Sequence, residues 1–328
     1  MDSGVGRVTN DEVAPSGSFR ADGGGSVTFE MSSSANSYFV PRMSYFNYRL
    51  RVTKTAAKAA LEVTDGEEDG DGVQFRTNPI SAVVNSFSHS INGVNIETVS
   101  NVPECAAILN RTSLSHEHLN SSGGSMQRLV GFRGNRNSLD PDEFPSGALQ
   151  PWDGVTEVFD CAWVPPSGFF SMPGSLPGGR HRFVLAHNAN LVQRCIVQGA
   201  ARAALVVGEY INVEIVSITL HATHMTPDII TPIPRNVVLS LHPITIVMSQ
   251  LSDTAGATTH TLSVPPSTDR LFVCANLQSA GTSCSPESGH GSFAARIQNL
   301  QVTYAGITMP QNGYTNAALG VAEREVLK

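Results

Sequence analysis

Apolar and polar residues alternate with a period of two from Ser26 onward. Val27 and Phe29 fall on one face of an extended segment, Thr28 and Glu30 on the other. The alternation lengthens in residues 38–54, where Phe46, Tyr48, Leu50 and Val52 point one way and Tyr45, Asn47, Arg49 and Arg51 the other. Successive side chains leave a strand on opposite faces, so this spacing predicts strands buried on one side. Further strands are predicted over residues 86–99, interrupted by an Asn92-Gly93 turn, and over 156–164, 182–186, 192–198 and 210–223.

Helical signals are few. Asn78-Pro79 pairs an N-cap residue with proline at the first helical position, predicting a short turn through residues 80–84. Residues 102–111 read as an amphipathic helix, and 315–327 as another. The polar stretch 113–150 reads as a long loop, as does the acidic run 65–72, DGEEDGDG. Proline-rich residues 226–234 mark the best domain boundary, and strands return near 237–248, 259–264, 270–276 and 294–307. Many short strands with long loops and few helices predict an all-β fold, a sandwich or jelly roll. Residues 1–24, rich in Gly, Ser and charge, read as a flexible N-terminal arm or a strap onto a neighbour.

Composition narrows the function. Hydrophobic residues make up 41% of the 328-residue chain, enough for a substantial core, while charged residues are 15% against an ordinary ~25%. Sparse charge suits a surface covered by neighbours. A net charge of −7 and an N-terminal stretch carrying Asp2, Asp11, Glu12 and Asp22 against Arg7 and Arg20 argue against binding nucleic acid through its phosphates. Cys105, Cys161, Cys195, Cys274 and Cys284 are odd in number with no CxxC, so buried reduced thiols are expected rather than a disulfide framework or zinc ribbon. No secretory signal and no transmembrane segment are expected, since no apolar run approaches ~18 residues. The sequons at Asn110 and Asn120 are expected to carry no glycan.

The histidines and carboxylates are the candidates for chemistry. His116-Glu117-His118 resembles a cupin metal motif but lacks the downstream Glu, residues 121–125 being Ser, Ser, Gly, Gly and Ser. The acidic run lacks the bidentate Glu of a calcium loop, because Arg76 stands at the twelfth position from Asp65. His221 and His224, three apart, fall on opposite faces of a regular strand. His181, between Arg180 and Arg182, reads as an anion contact, an exposed loop tip or a subunit contact. His89 is expected to orient a backbone group or to face a subunit boundary, and Trp152 and Trp163 to anchor core or loops. Asp140-Pro141-Asp142-Glu143 reads as a turn, and GxSxG, Walker A, GxGxxG and HExxH are absent. No catalytic residue, cofactor site or metal site is expected.

The segment FRTNPISAVVNSFSHSINGVNIETVSNVPECAAIL, from Phe75 to Leu109, resembles a stretch of the double jelly-roll major capsid proteins of eukaryotic DNA viruses: polinton-like viruses, adintoviruses and nucleocytoplasmic large viruses. The matching positions are Asn78, Ile80, Val83, Val84, Phe87, Ile91, Asn92, Gly93 and Val94, followed by residues 102–109. The His-Ser pair, His89-Ser90, falls later than in that family, and its Tyr-Pro-Tyr helix opening is reduced to Val102-Pro103. Residues 39–53, 169–195 and 213–227 resemble neighbouring parts of the first roll. PIPR at 232–235, residues 269–276 and IQNLQVTYAGITMP at 297–310 resemble the entry to the second roll and its next strands.

The resemblance, spread over residues 38–310, implies a double jelly roll: an arm at 1–24, a first roll at 25–231 and the N-terminal portion of a second at 232–328. Either the sequence is a piece of a longer chain or its second sandwich is abbreviated; a helix at 315–327 without fold partners favours the former. The implied function is a non-enzymatic capsid protein that forms homotrimeric, pseudo-hexagonal capsomers of an icosahedral shell around a double-stranded DNA genome. Its implied partners are copies of itself, penton proteins and minor or cement proteins, and its place is the virion, assembled inside the infected host cell. Two other classes are compatible with a jelly roll: a carbohydrate- or receptor-binding module, and a hydrolase or cupin-like enzyme. The former needs aromatics grouped at one loop end, and the latter needs the motifs found missing.

Overall fold

The computed structural model describes residues 6–33, 36–54, 73–75, 79–113, 157–198, 211–227, 244–246, 271–272, 300–304 and 307–314. The acidic run 65–72, the HxH motif, Asp140–Glu143, Asn78, Trp152, Cys274, Cys284 and the helix expected at 315–327 lie outside these residues.

Thirteen strands are described. They are β1 (Arg7–Val13), β2 (Ser26–Ser32), β3 (Tyr38–Phe39), β4 (Tyr45–Lys54), β5 (Val73–Phe75), β6 (Val84–Ile91), β7 (Val94–Ser100), β8 (Glu157–Trp163), β9 (Arg180–His187), β10 (Ile196–Gln198), β11 (Ile211–Thr226), β12 (Leu300–Tyr304) and β13 (Ile307–Tyr314). Three α-helices accompany them, α1 (Pro79–Val83), α2 (Val102–Ser113) and α3 (Leu191–Cys195), with a 3-10 turn at Pro41–Met43. One large sheet has the order β1-β11-β4-β8, with β3 also on β11, and the second has the order β2-β9-β6-β7; β5 pairs with β10, and β12 with β13, in two-stranded sheets.

The pairings nest. β1 pairs with β11, β2 with β9, β4 with β8 and β6 with β7, all antiparallel. Eight strands thus form one long hairpin rolled over on itself, its successive strands divided between two sheets. That is the jelly roll, and the fold is all-β with a few short helices, as the alternation predicts.

Strand β4 shows why the sheets stack. Phe46, Tyr48, Leu50 and Val52 are buried, while Arg49 and Arg51 face out to Asp160 and Glu214. Phe183 on β9 is the hub of the space between the sheets, within ring contact of Phe39, Phe46, Phe87, Phe169 and Phe170. Trp163 closes one side of this core and donates its Nε1–H to Ser81 Oγ at 2.9 Å, so the expected anchor role holds. Among the described residues, Cys105, Cys161 and Cys195 are buried thiols outside any disulfide, as expected of reduced cysteines. Burial pushes Cys161 and Cys105, whose thiols have little water around them, well above the ordinary thiol range, Cys105 to about 12.

The β6–β7 turn is built by Asn92 and Gly93, both at positive φ, 50° and 83°, as a two-residue hairpin loop requires. At Gly23, φ is +79° and an added Cβ would lie 2.3 Å from Asn188 O, so the β1–β2 connection can approach the end of β9 only through glycine.

Three expectations need correction. Residues 7–13, within the stretch read as a flexible arm, form edge strand β1, in register from Arg7 opposite Thr226 to Val13 opposite Leu220. An edge strand buries little, and RVTNDEV offers only Val13 to the core, so its alternation is faint. Residues 192–198, read as one strand, split into α3 and β10. Leu191 and Cys195, four apart, both face the core, which is helical spacing in a run too short to reveal its period. Residues 294–307, read as one strand, contain β12, and β13 then returns antiparallel to it through Tyr314. The ladder is irregular between Leu300 and Val302, and Pro310 is accommodated in this irregular pair.

Candidate functional site

Polar groups converge at one place inside the roll, where β6, β9 and β11 each turn a histidine inward. His181 follows the register of β9, which alternates exposed Arg180 and Arg182 with buried His181, Phe183 and Leu185. The expectation of an exposed loop tip or anion contact is therefore overturned: the flanking arginines face out to Glu30, and His181 is 1% exposed. His89 is fully buried too, and corrects its own expectation by sitting in the core, away from any boundary. Its Nε2 lies 3.1 Å from His181 Nδ1, so one nitrogen donates and the other accepts. His89 stands over Phe169 with centroids 3.8 Å apart and stacks on Phe183 at 4.6 Å.

His224 on β11 completes the group. Phe39 lies between it and His181, at centroid distances of 5.7 Å and 5.0 Å. His224 Nε2 is 3.3 Å from Ser33 Oγ, and Nδ1 is 3.2 Å from Asp11 Oδ2, close enough for an ion pair but not aligned as a hydrogen bond. His221 lies on the opposite face, stacked on Tyr45 at 4.7 Å, so the expectation that the two cannot chelate together holds. Burial is the main force lowering the basicity of the inner pair, with a neighbouring histidine second: His89 falls to about 3 and His181 to about 4, below the usual 6.5. Both are held neutral at pH 7.

Beside this group sits the residue that sequence reasoning missed. Glu97 on β7 is opposite His89 in the ladder and is 4% exposed. Its Oε1 accepts from Gly168 N at 2.9 Å and its Oε2 from Phe169 N at 3.0 Å. Ser167 Oγ accepts from Phe170 N, and the segment 167–172 is thereby tied across the end of the sandwich, seating Phe169 on His89. The signal in the sequence is a charged residue at an inward position, two before buried Val99.

A second histidine site joins the sheets. Tyr48 Oη lies 3.0 Å from His187 Nε2, both buried. Burial raises the tyrosine well above its usual value of 10 and lowers His187 to about 4, so the pair is neutral in the native protein. In the unfolded chain the imidazole binds its proton near 6.5; in the folded chain, only near 4. Its contribution to stability is therefore complete above about pH 6.5, declines as pH falls toward 4 and is gone below that. At pH 5 the loss amounts to about 2 kcal/mol from this group. Urea titrations at neutral pH and at about pH 5 should show His187→Gln losing about 2 kcal/mol less than the parent on acidification.

Among the described residues, His89 and His181 make their ring contacts with each other and with phenyl rings of the core. Among the described residues, no group of three or more His, Cys, Asp or Glu is arranged to hold a metal ion. The outer faces carry exposed ion pairs, Arg49–Asp160 at 2.8 Å and Arg180–Glu30 at 2.6 Å, which water and salt screen. Among the described residues, no helix is long and apolar enough to cross a membrane.

No protein-family model and no curated protein matches the chain. Solved structures do. A chain in the structure of the Sputnik virophage superimposes with a TM-score of 0.50 at 20% identity, covering 71% of this chain and 50% of that one. The major capsid protein of mavirus matches with a TM-score of 0.40 at 13% identity, covering 69% of this chain and 48% of its own. The Faustovirus major capsid protein gives 0.41 at 10%, covering 70% and 56%. The chain thus spans about half the length of the solved structures it matches. The jelly roll defined by the nested pairing is the fold it has in common with the virophage chain.

Proposed function

We propose that this chain is a structural protein of a DNA-virus capsid, a wall-forming jelly roll that works by packing against copies of itself and not by catalysis. The observation that carries this reading is the eight-stranded roll common to it and a chain of the Sputnik virophage. Three further features support it: the resemblance of residues 75–109 to double jelly-roll capsid proteins, the low charge, and a β hairpin, β12–β13, following the first roll in sequence. Its interior is filled by interlocking rings, so the sandwich is a stiff plate, and recognition falls to its rims and loops.

In this reading the first roll spans residues 25–231 together with edge strand β1, and a second begins at residue 232. Three chains form a pseudo-hexagonal capsomer, and capsomers tile an icosahedral shell around double-stranded DNA, with penton and minor capsid proteins as further partners, in the virion. Light scattering on the size-fractionated full chain should give a trimer or a larger particle, and electron microscopy should show hexagonal tiles or shells. A stable monomer retained on a glycan column would favour the binding-module alternative and overturn the proposal.

A further inference from the structure

The buried histidines have a property that the wall-forming role does not require. We propose that His89, with His181 behind it, is an acid-operated release for the segment 167–172: a proton arriving on His89 draws Glu97 off the amides that tie this segment to the roll. The proposal concerns the isolated chain and stands whether or not the chain forms shells.

The geometry supplies each part. Two imidazoles 3.1 Å apart share one N–H between them, and a further proton makes a cation with no ready acceptor. His89 Nδ1 and His181 Nε2 are buried without hydrogen-bond partners. The charged groups on the surrounding elements leave one outlet. On β9, Arg180 and Arg182 point outward to Glu30 of β2. On β2, Met31 stands opposite His181, and β3 contributes Phe39. On β11, His224 adds a third imidazole, while Asp11 of β1 lies by His224 at 3.2 Å and Glu12 stands opposite outward-facing His221. On β7, Glu97 is the cross-strand partner of His89, and cross-strand neighbours lie within ~5.5 Å at Cβ.

Glu97 therefore has two possible clients. With neutral imidazoles, its two oxygens serve Gly168 N and Phe169 N. With a protonated His89, a charge-assisted bond to the imidazolium competes for the same carboxylate. Turning toward it leaves two amides unserved and lifts Phe169 off His89, which admits water to the cation. The release is local, and it reverses when the medium is neutralised.

Hydrogen–deuterium exchange on the full chain, at about pH 7.5 and about pH 5 and corrected for intrinsic rates, tests this directly. Acidification should raise exchange of peptides covering residues 167–172 by about ten-fold, with residues 7–13 unchanged and full recovery on neutralisation. His89→Phe should abolish the acid response. Unchanged protection of 167–172 at the lower pH, a uniform rise across all strands, or an equal response in His89→Phe would each overturn the proposal. Should His89→Phe fail to fold, histidine NMR of the parent chain decides. The His89 signal shifting together with the loss of amide protection at Gly168 and Phe169 supports the release; protonation of that ring while both amides stay protected rules it out.

Discussion

Replacing Phe183 with alanine should destabilise the roll by about 3–5 kcal/mol, the upper range for core truncations. The side chain is fully buried on β9 and touches rings from both sheets and from the 167–172 segment: Phe39 and Phe46 on one side, Phe87 on its own sheet, Phe169 and Phe170 at the end. It also stacks on His89 and His181. Neighbours drawn from so many elements cannot all collapse into the space left, so a cavity term adds to the lost transfer energy. Phe183→Leu keeps most of the volume and should cost about 1–1.5 kcal/mol, losing chiefly the ring-edge contacts. Denaturant midpoints of the two variants should differ accordingly, and equal midpoints would mean the hub is plastic.

Glu97→Ala is the second large effect, expected at about 3–5 kcal/mol, by a different mechanism. Truncation strands two buried amides, Gly168 N and Phe169 N, at about 1–3 kcal/mol each, and opens space beneath them. Glu97→Gln keeps one acceptor oxygen and should recover roughly half of the loss. The distinguishing measurement is amide exchange. Glu97→Ala should deprotect Gly168 and Phe169 far beyond the change in global stability, whereas Phe183→Ala should lower protection throughout the roll. If Glu97→Gln proves as damaging as Glu97→Ala, charge rather than hydrogen bonding holds the segment.

How far the sequence foretold these features follows from burial. Strands β2, β4 and β9 bury one full face, so Val27 and Phe29, Phe46 through Val52, and Phe183 and Leu185 carry a clear period of two. The Asn92-Gly93 turn was equally plain, because a two-residue hairpin needs positive φ at both positions. Edge strand β1 was opaque, since charge and polarity on an outermost strand look the same as those of a loop. Sequence neighbours hide the place of His181: Arg180 and Arg182 suggest a wet site, yet alternation sends the residue between two outward arginines inward. Glu97 shows in the sequence only as a charge at an inward position, because its partners are backbone amides more than seventy residues on, and amides carry no letter.

The pairing of β1 with β11 has a consequence for how the protein is made. Arg7 and Thr226 are ladder partners, and the nested order leaves β1 without its neighbour until β11 has left the ribosome. Throughout translation of the intervening residues, a sheet edge and aromatic surface wait uncovered, a topology that slows maturation and invites clumping. Lowering the synthesis rate or temperature during expression should therefore raise the soluble yield.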